Sequence, residues 1–112
     1  MNNCVFCKII SGDIPSDILF EDDELVVFRD INPQAPVHFL LVPKKHIPMP
    51  ADVTAEDDRI MGKLFRIAAQ VAEKENVADN YRIVMNNGAK SGQEVFHVHM
   101  HVLGGKEKPW PI

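Results

Sequence analysis

The pattern of apolar and polar residues divides the chain into five predicted strands. Short runs rich in β-branched and aromatic residues are bounded by Asp, Asn, Pro or Gly, a pattern typical of strands joined by turns. The predicted strands are Ile18 to Glu21, Glu24 to Asp30, His38 to Pro43, Tyr81 to Asn86, and a last run that begins at His97 and ends before Gly104-Gly105. The first two are predicted to form a hairpin around Asp22-Asp23.

A long helix is predicted between the third and fourth strands. Thr54 suits its N-cap, acidic residues follow in the first turn, and the helix is predicted to end near Asn76. One apolar stripe at helical spacing contains Ile60, Met61, Leu64, Ile67, Ala68, Val71 and Ala72. A short N-terminal helix is predicted at Phe6 to Ile10. The predicted fold class is therefore α+β, a five-stranded antiparallel sheet with these two helices, in one domain over residues 1–112.

All five histidines lie on or beside two of the predicted strands. In His97-Val98-His99-Met100-His101, the spacing of two puts three imidazoles on one face and leaves an apolar face that continues to Val102. His38 and His46 flank another apolar run, so pairing of the two strands would bring the imidazoles to one region. Such a group can bind a metal, transfer protons or attack an electrophile near neutral pH. A solvated histidine cluster is the alternative.

Composition and charge exclude some function classes. The net charge of −4 provides no global basic field for nucleic acid or an anionic membrane surface. No apolar stretch approaches the length of a membrane span. Met1-Asn2-Asn3-Cys4 lacks the charged segment and long apolar run of a signal peptide, so we expect a cytoplasmic location. Cysteines in that compartment are more often thiols or metal ligands than disulfides.

Cys4-Val5-Phe6-Cys7 has the spacing of half a zinc site. The spacing alone leaves three interpretations open, namely a zinc half-site, a redox pair or two buried thiols. A redox pair would be expected beside a thioredoxin-like βαβ pattern, which is not present.

The chain resembles the histidine-triad family, and within it the Hint branch, over nearly its whole length. His97 to Leu103 resembles the family signature of three histidines alternating with apolar residues. Further matching blocks are Phe28 to Pro36, Pro43 to Ile47, Gly92 to Phe96, Gly104-Gly105 and Trp110-Pro111. The resemblance implies a homodimeric hydrolase that cleaves the P–N bond of purine nucleoside 5′-phosphoramidates, with the sheet continued across the dimer. The substrate class is a purine nucleotide derivative, typically of AMP or GMP.

The resemblance also implies roles for the histidines. His99 is the nucleophile that forms a covalent nucleotidyl intermediate, a step that divides one displacement into two. His101 and His38 lie beside the phosphate, and His97 completes the triad. A general acid must protonate the leaving amine, and the sequence does not say which histidine supplies it. No Mg²⁺ is required by this scheme.

The nucleotide site is implied by residue matches of the same kind. Asp30 accepts hydrogen bonds from the ribose hydroxyls, and Asn86 lies near the phosphate. The base pocket and the phosphate loop are matched by Phe6, Ile9, Ile14, Phe28, Ile31, Gly92, Gln93 and Val95. Glu94 departs from the serine of animal members, and its carboxylate either points away or favours basic leaving groups.

Other histidine-triad proteins with the two cysteines hold structural zinc. By resemblance the ligands here are Cys4, Cys7, His46 and His97, a closed set of the kind that tetrahedral structural zinc requires. Three alternative functions stay open: hydrolysis of dinucleoside polyphosphates, a nucleotide-binding regulator or scaffold with incidental hydrolysis, and a protein that only chelates metal. The apolar tail at Trp110 is either a loose end or a contact with a partner subunit.

Overall fold

The computed structural model of the chain describes residues 4–112. Its elements are α1 (Val5–Ile10), β1 (Ile18–Glu21), β2 (Leu25–Arg29), β3 (Val37–Pro43), α2 (Asp58–Lys74), β4 (Tyr81–Val84) and β5 (Met100–Gly104). Single turns of 3₁₀ helix lie at Pro50–Asp52, Ala55–Asp57 and Ala89–Ser91. Residues Met1 to Asn3 lie outside the described residues. The prediction of no signal peptide partly rests on them, and the domain bounds of 1–112 stay a prediction.

The sheet has the strand order β1-β2-β3-β5-β4, and every neighbouring pair is antiparallel. The predicted five-stranded antiparallel α+β fold is confirmed. Because β5 lies between β3 and β4, the strand that carries His101 is an interior strand and pairs with the strand that carries His38. Continuation of the sheet across a dimer stays a prediction.

Each face of the sheet is covered by one helix. Alternate residues of β2, such as Leu25 and Val27, pack on one face against α2, whose stripe includes Leu64 and Ile67. The alternating residues Val26 and Phe28 point to the opposite face and pack against α1. The His38 and His101 side chains alternate with the α2-facing residues of their strands, so they lie on the α1 face.

Most predicted boundaries differ from the structure by one or two residues, such as the end of β4 at Val84 rather than Asn86, and two differences have a clear local cause. The histidine strand is regular only from Met100, because the Val98 N–H donates instead to the Ile47 carbonyl, 2.7 Å away, in the segment after β3. Thr54 precedes a 3₁₀ turn rather than α2 itself, because the Asp57 carboxylate accepts the Thr54 N–H at 3.0 Å. None of the helices in residues 4–112 has both the length and the apolarity needed to cross a bilayer.

Candidate active site and metal centre

A cavity of about 420 Å³ opens on the α1 face of the sheet. This volume is within the usual range for small-molecule sites. His99 and His101 line it, together with most of the predicted nucleotide-binding residues: Phe6, Ile9, Ile14, Phe28, Asp30, Ile31, Asn86, Gly92 and Val95. The structure therefore brings together in one wall residues that are up to about 90 positions apart in the sequence.

The ring of His99 is held by its own main chain and by an aromatic neighbour. Its Nδ1 lies 2.7 Å from the His97 carbonyl oxygen, which can only accept, so Nδ1 carries the proton. Nε2 is consequently the unprotonated nitrogen of the neutral ring. The Phe6 ring meets the imidazole edge-on, with 4.9 Å between the centroids, and only 8% of His99 is exposed. The geometry leaves His99 one lone pair with which to act as a nucleophile.

His38 and His101 form a hydrogen-bonded pair whose tautomers are also determined. The Gln34 main-chain N–H donates to His38 Nδ1 at 3.0 Å, so the proton of the neutral His38 ring is on Nε2. That Nε2 lies 3.0 Å from His101 Nδ1, which accepts. The proton of His101 is then on its own Nε2. His101 thus has an N–H donor, and its ring lies 5.0 Å from the His99 ring between centroids.

Burial keeps these imidazoles neutral. Desolvation lowers the pKa of His38 and His99 below the ordinary value, although the Asp30 carboxylate partly opposes the effect at both. Desolvation, with two neighbouring imidazoles, lowers the pKa of His101 to about 4. At neutral pH the cavity therefore offers neutral nitrogen donors and acceptors, and the lone pair of His99 is not lost to a proton.

Asp30 directly follows β2 and lies in the wall of the cavity. Its Oδ1 accepts the Asn32 N–H at 2.8 Å, and Oδ2 lies 3.5 Å from His38 Nε2. A carboxylate has about four lone-pair directions, so these contacts leave acceptor capacity for a ligand's hydroxyl groups.

The loop between β4 and β5 is tied together from within by one glutamine side chain. Gln93 is 3% exposed; its amide nitrogen donates to the Pro48 and Val95 carbonyls and its amide oxygen accepts the Gly88 N–H. The side chain of Gln93 thus lies in the loop, whereas the resemblance had assigned it to the nucleotide. Gly92 has φ of +114° and faces the Asn86 side chain, so a glycine suits this turn.

The four predicted metal ligands lie together at the N-terminal end of α1. The ligand atoms of Cys4, Cys7, His46 and His97 all lie within 4.8 Å of one another. His97 Nδ1 is 3.1 Å from His46 Nδ1 and 3.5 Å from each sulfur. These separations are close to the edges, roughly 3.3–3.8 Å, of a tetrahedron with zinc–nitrogen and zinc–sulfur bond lengths.

The orientation of His97 also fits a metal ligand. Its Nε2 lies 2.7 Å from the Pro43 carbonyl oxygen and therefore carries the proton, which leaves Nδ1 bare and directed at the two cysteines and His46. Such a second hydrogen bond is the usual support of a histidine that binds metal. His97 is fully buried and does not line the cavity, so it groups with the two cysteines and His46 rather than with His99 and His101.

The Cys7 thiol does not have the character of a redox nucleophile. Burial and the adjacent Cys4 sulfur raise the pKa of the Cys7 thiol to about 11. Reactive CxxC thiols have a lowered pKa, because the thiolate is the nucleophile. Of the interpretations that the spacing left open, the donor set is best suited to a metal.

A family model for the HIT domain matches residues 11–108. The chain belongs to the HIT family. It is 50% identical over 103 residues to the purine nucleoside phosphoramidase of Escherichia coli, which covers 91% of this chain and 87% of that protein. A HIT-like protein of Synechocystis is 49% identical over 107 residues, 96% of this chain and 94% of that protein.

Solved HIT structures are closely similar in fold. A HIT family hydrolase from Clostridium thermocellum superposes with a TM-score of 0.96 at 42% identity, over 100% of this chain and 98% of that one. One from Legionella pneumophila gives 0.93 at 44% identity, over 97% and 98%. Together with the family match, these relatives support a hydrolase.

Several contacts of the HIT site are invisible in the sequence. The Gln34 N–H and the Pro43 carbonyl fix two histidine tautomers, and any residue could supply those main-chain groups. Arg29 also lines the cavity, where it binds Asp17 and Glu75, but nothing in its sequence neighbourhood indicates these partners. The Lys106 ammonium lies over the Trp110 ring of the same chain, 4.0 Å from the ring centroid. Contact of Trp110 with a partner subunit stays a prediction.

Proposed function

We propose that this protein hydrolyses the P–N bond of purine nucleoside 5′-phosphoramidates through a nucleotidyl–His99 intermediate. The observation that carries the proposal is the pair of complementary imidazoles at the cavity: His99 has a bare Nε2, His101 has an N–H donor, and their ring centroids are 5.0 Å apart. The name of the 50%-identical Escherichia coli relative supports the substrate class.

In the proposed reaction, Nε2 of His99 attacks phosphorus and the P–N bond to the amine breaks. The amine leaves with a proton donated by a general acid of the site. Water then attacks phosphorus and breaks the P–N bond to His99, which releases the nucleoside monophosphate and restores the free imidazole. The His101 Nε2–H can donate to a phosphoryl oxygen as charge develops there, and His38 holds it in that tautomer. The proposal requires no Mg²⁺.

Binding of the nucleotide is assigned to the rest of the cavity. Asp30 accepts from the ribose hydroxyls, and the aromatic and aliphatic wall formed by Phe6 and Phe28 takes the base, with Ile9, Ile14 and Ile31 around it. The phosphate would be contacted by three other residues that line the cavity, Asn86, Gly92 and Val95. Gln93 contributes by holding the loop.

The test is mass spectrometry of protein quenched during turnover of adenosine 5′-phosphoramidate. We expect an AMP adduct on His99 and no adduct in His99→Ala, which should fold and still bind AMP. Loss of a covalent nucleophile should lower turnover by at least about a thousandfold. Turnover above one-tenth of wild type in a folded His99→Ala protein would overturn the assignment. Faster turnover of diadenosine polyphosphate than of the phosphoramidate would favour the alternative hydrolase.

Zinc and a homodimer are parts of the proposal with separate tests. One structural zinc per chain would be held by Cys4, Cys7, His46 and His97. Elemental analysis measures its content, and Cys4→Ser should lose it.

A second copy of the chain would cover the α2 side chain Phe65, which is 56% exposed, and the open edge of β4. Light scattering at micromolar concentration should give twice the chain mass; a monomer would refute the dimer. The cytoplasmic location and the absence of nucleic-acid and membrane partners stay predictions.

A further inference from the structure

Glu94 stands in the cavity wall on a loop that cannot easily move. The residue before it, Gln93, is bound to main-chain groups on three sides, including the Pro48 carbonyl at 2.7 Å. The Glu94 side chain is exposed and lines the cavity with Asn86 and His101. The main chain at Glu94 is therefore held in place by the hydrogen bonds of the preceding residue.

The wall around Glu94 has an excess of negative charge. Asp30 and Glu94 contribute two carboxylates. Within residues 4–112, the only lysine or arginine in this wall is Arg29, whose guanidinium pairs with Asp17 at 3.0 Å and with Glu75 at 3.1 Å. The His101 imidazole adds no positive charge at neutral pH, because its pKa is lowered to about 4. A group that leaves through this opening thus meets an unbalanced carboxylate.

We propose that Glu94 selects leaving amines that carry a second, positively charged amino group. The inference rests on the proposed function and names the substrate class of the same site. The bonds made and broken are unchanged: His99 Nε2 binds phosphorus, the P–N bond breaks, and the amine takes up a proton. The second ammonium group stays outside this exchange and pairs with the Glu94 carboxylate. Anionic leaving groups, such as polyphosphates, are repelled by the same charge.

The expected size follows from the exposure of Glu94. A single ion pair open to water changes a rate or affinity by about two- to fivefold. Salt weakens such a pair, so the selectivity should decrease between low and physiological ionic strength.

The experiment uses two adenosine 5′-phosphoramidates, one of diaminobutane with a free ammonium group and one of monoacetylated diaminobutane, which is neutral. The ratio of their kcat/KM values is measured for wild type, Glu94→Gln and Glu73→Gln. Glu73 is an exposed residue of α2, on the opposite face of the sheet, and its substitution makes the same change in net charge. We expect Glu94→Gln to lower the charged-to-neutral ratio by about two- to fivefold at low salt, with no change in Glu73→Gln.

The outcomes separate the inference from the function on which it rests. Turnover of both compounds with the same ratio in wild type and Glu94→Gln would overturn the inference alone. No turnover of either compound by wild type would overturn the proposed function. The ratio of their dissociation constants, measured by calorimetry with the same three proteins, would then decide whether Glu94 discriminates between them.

Discussion

Replacement of His38 should separate the role of a hydrogen-bond donor from that of an imidazole. His38 is 6% exposed and does not line the cavity, yet its Nε2–H is 3.0 Å from His101 Nδ1. His38→Leu removes that donor and leaves His101 free to move its proton to Nδ1, which would take the N–H away from the phosphate. His38→Gln keeps an amide N–H that can donate to His101 and an oxygen that can accept the Gln34 N–H.

The magnitude follows from the bond that is lost. A buried acceptor left without its donor costs about 1–3 kcal/mol. If that cost falls on the transition state, kcat/KM for adenosine 5′-phosphoramidate should decrease by roughly 5- to 150-fold in His38→Leu. The decrease should be mainly in kcat, because the His101 donor is needed most as charge develops on the phosphoryl oxygens. His38→Gln should recover a substantial part of the loss.

Steady-state kinetics with both variants is the assay, and thermal unfolding is the control that each is folded. A folded His38→Leu protein with more than half of the wild-type kcat/KM would refute the tautomer argument. Equal losses in His38→Leu and His38→Gln would show instead that the imidazole itself is required, as it would be if His38 exchanged a proton during turnover.

Three further predictions test other parts of the structure. Asp30→Ala should weaken AMP binding by at least about tenfold more than it weakens binding of the 2′,3′-dideoxy nucleotide, since only AMP has ribose hydroxyls that donate hydrogen bonds to the carboxylate. Equal losses of affinity in calorimetry would show that Asp30 does not contact the ribose. Gly104→Ala should lower the free energy of unfolding by about 1–3 kcal/mol, because a Cβ there would lie 2.9 Å from Val77 Cγ2 and 3.0 Å from the Asn80 carbonyl oxygen. An unchanged midpoint of urea unfolding would contradict this prediction. The free energy of unfolding should also fall as the pH is lowered from 6.5 to about 4, by about 3 kcal/mol for His101 alone. In that range the imidazole of the unfolded chain binds a proton, whereas the native His101, with its lowered pKa, does not. His101→Gln should flatten that part of the pH profile, and an unaltered slope would argue against a buried neutral His101.

The sheet was predictable because its information is local and periodic. The β2 run Leu25–Arg29 alternates between the two cores, and the stripe of α2 at Leu64 and Ile67 repeats at helical spacing. The start of β5 was predicted too early, at His97, because periodicity cannot show which partner a main-chain N–H will find. Val98 bonds to Ile47, a residue about 50 positions away, and that contact depends on the fold.

The residue types of the site were predictable, but the protonation pattern was not. Three histidines on one face follow from a spacing of two, and the five histidines do meet on and beside β3 and β5. Which nitrogen of each ring is bare depends on the His97 carbonyl, the Gln34 N–H and the Pro43 carbonyl. These are main-chain groups, present in every residue, and only the fold selects them. The same limit explains Gln93, whose side chain is taken by loop main-chain atoms.

The proposed metal ligands and the proposed reacting imidazoles of His99 and His101 both contact one short helix, so we expect their stabilities to be linked. Helix α1 has six residues, too few to be stable alone. Its start carries Cys4 and its middle carries Cys7, while Phe6 between them packs on Phe28 and edge-on to His99. A metal that ties both sulfurs to His97 would therefore also hold Phe6 against the nucleophile. The core beneath α2 has no member from α1, so loss of α1 would leave that core intact. We accordingly expect chelation to weaken AMP binding and adduct formation while α2 and the sheet stay folded, and circular dichroism followed alongside AMP affinity would distinguish this from global unfolding.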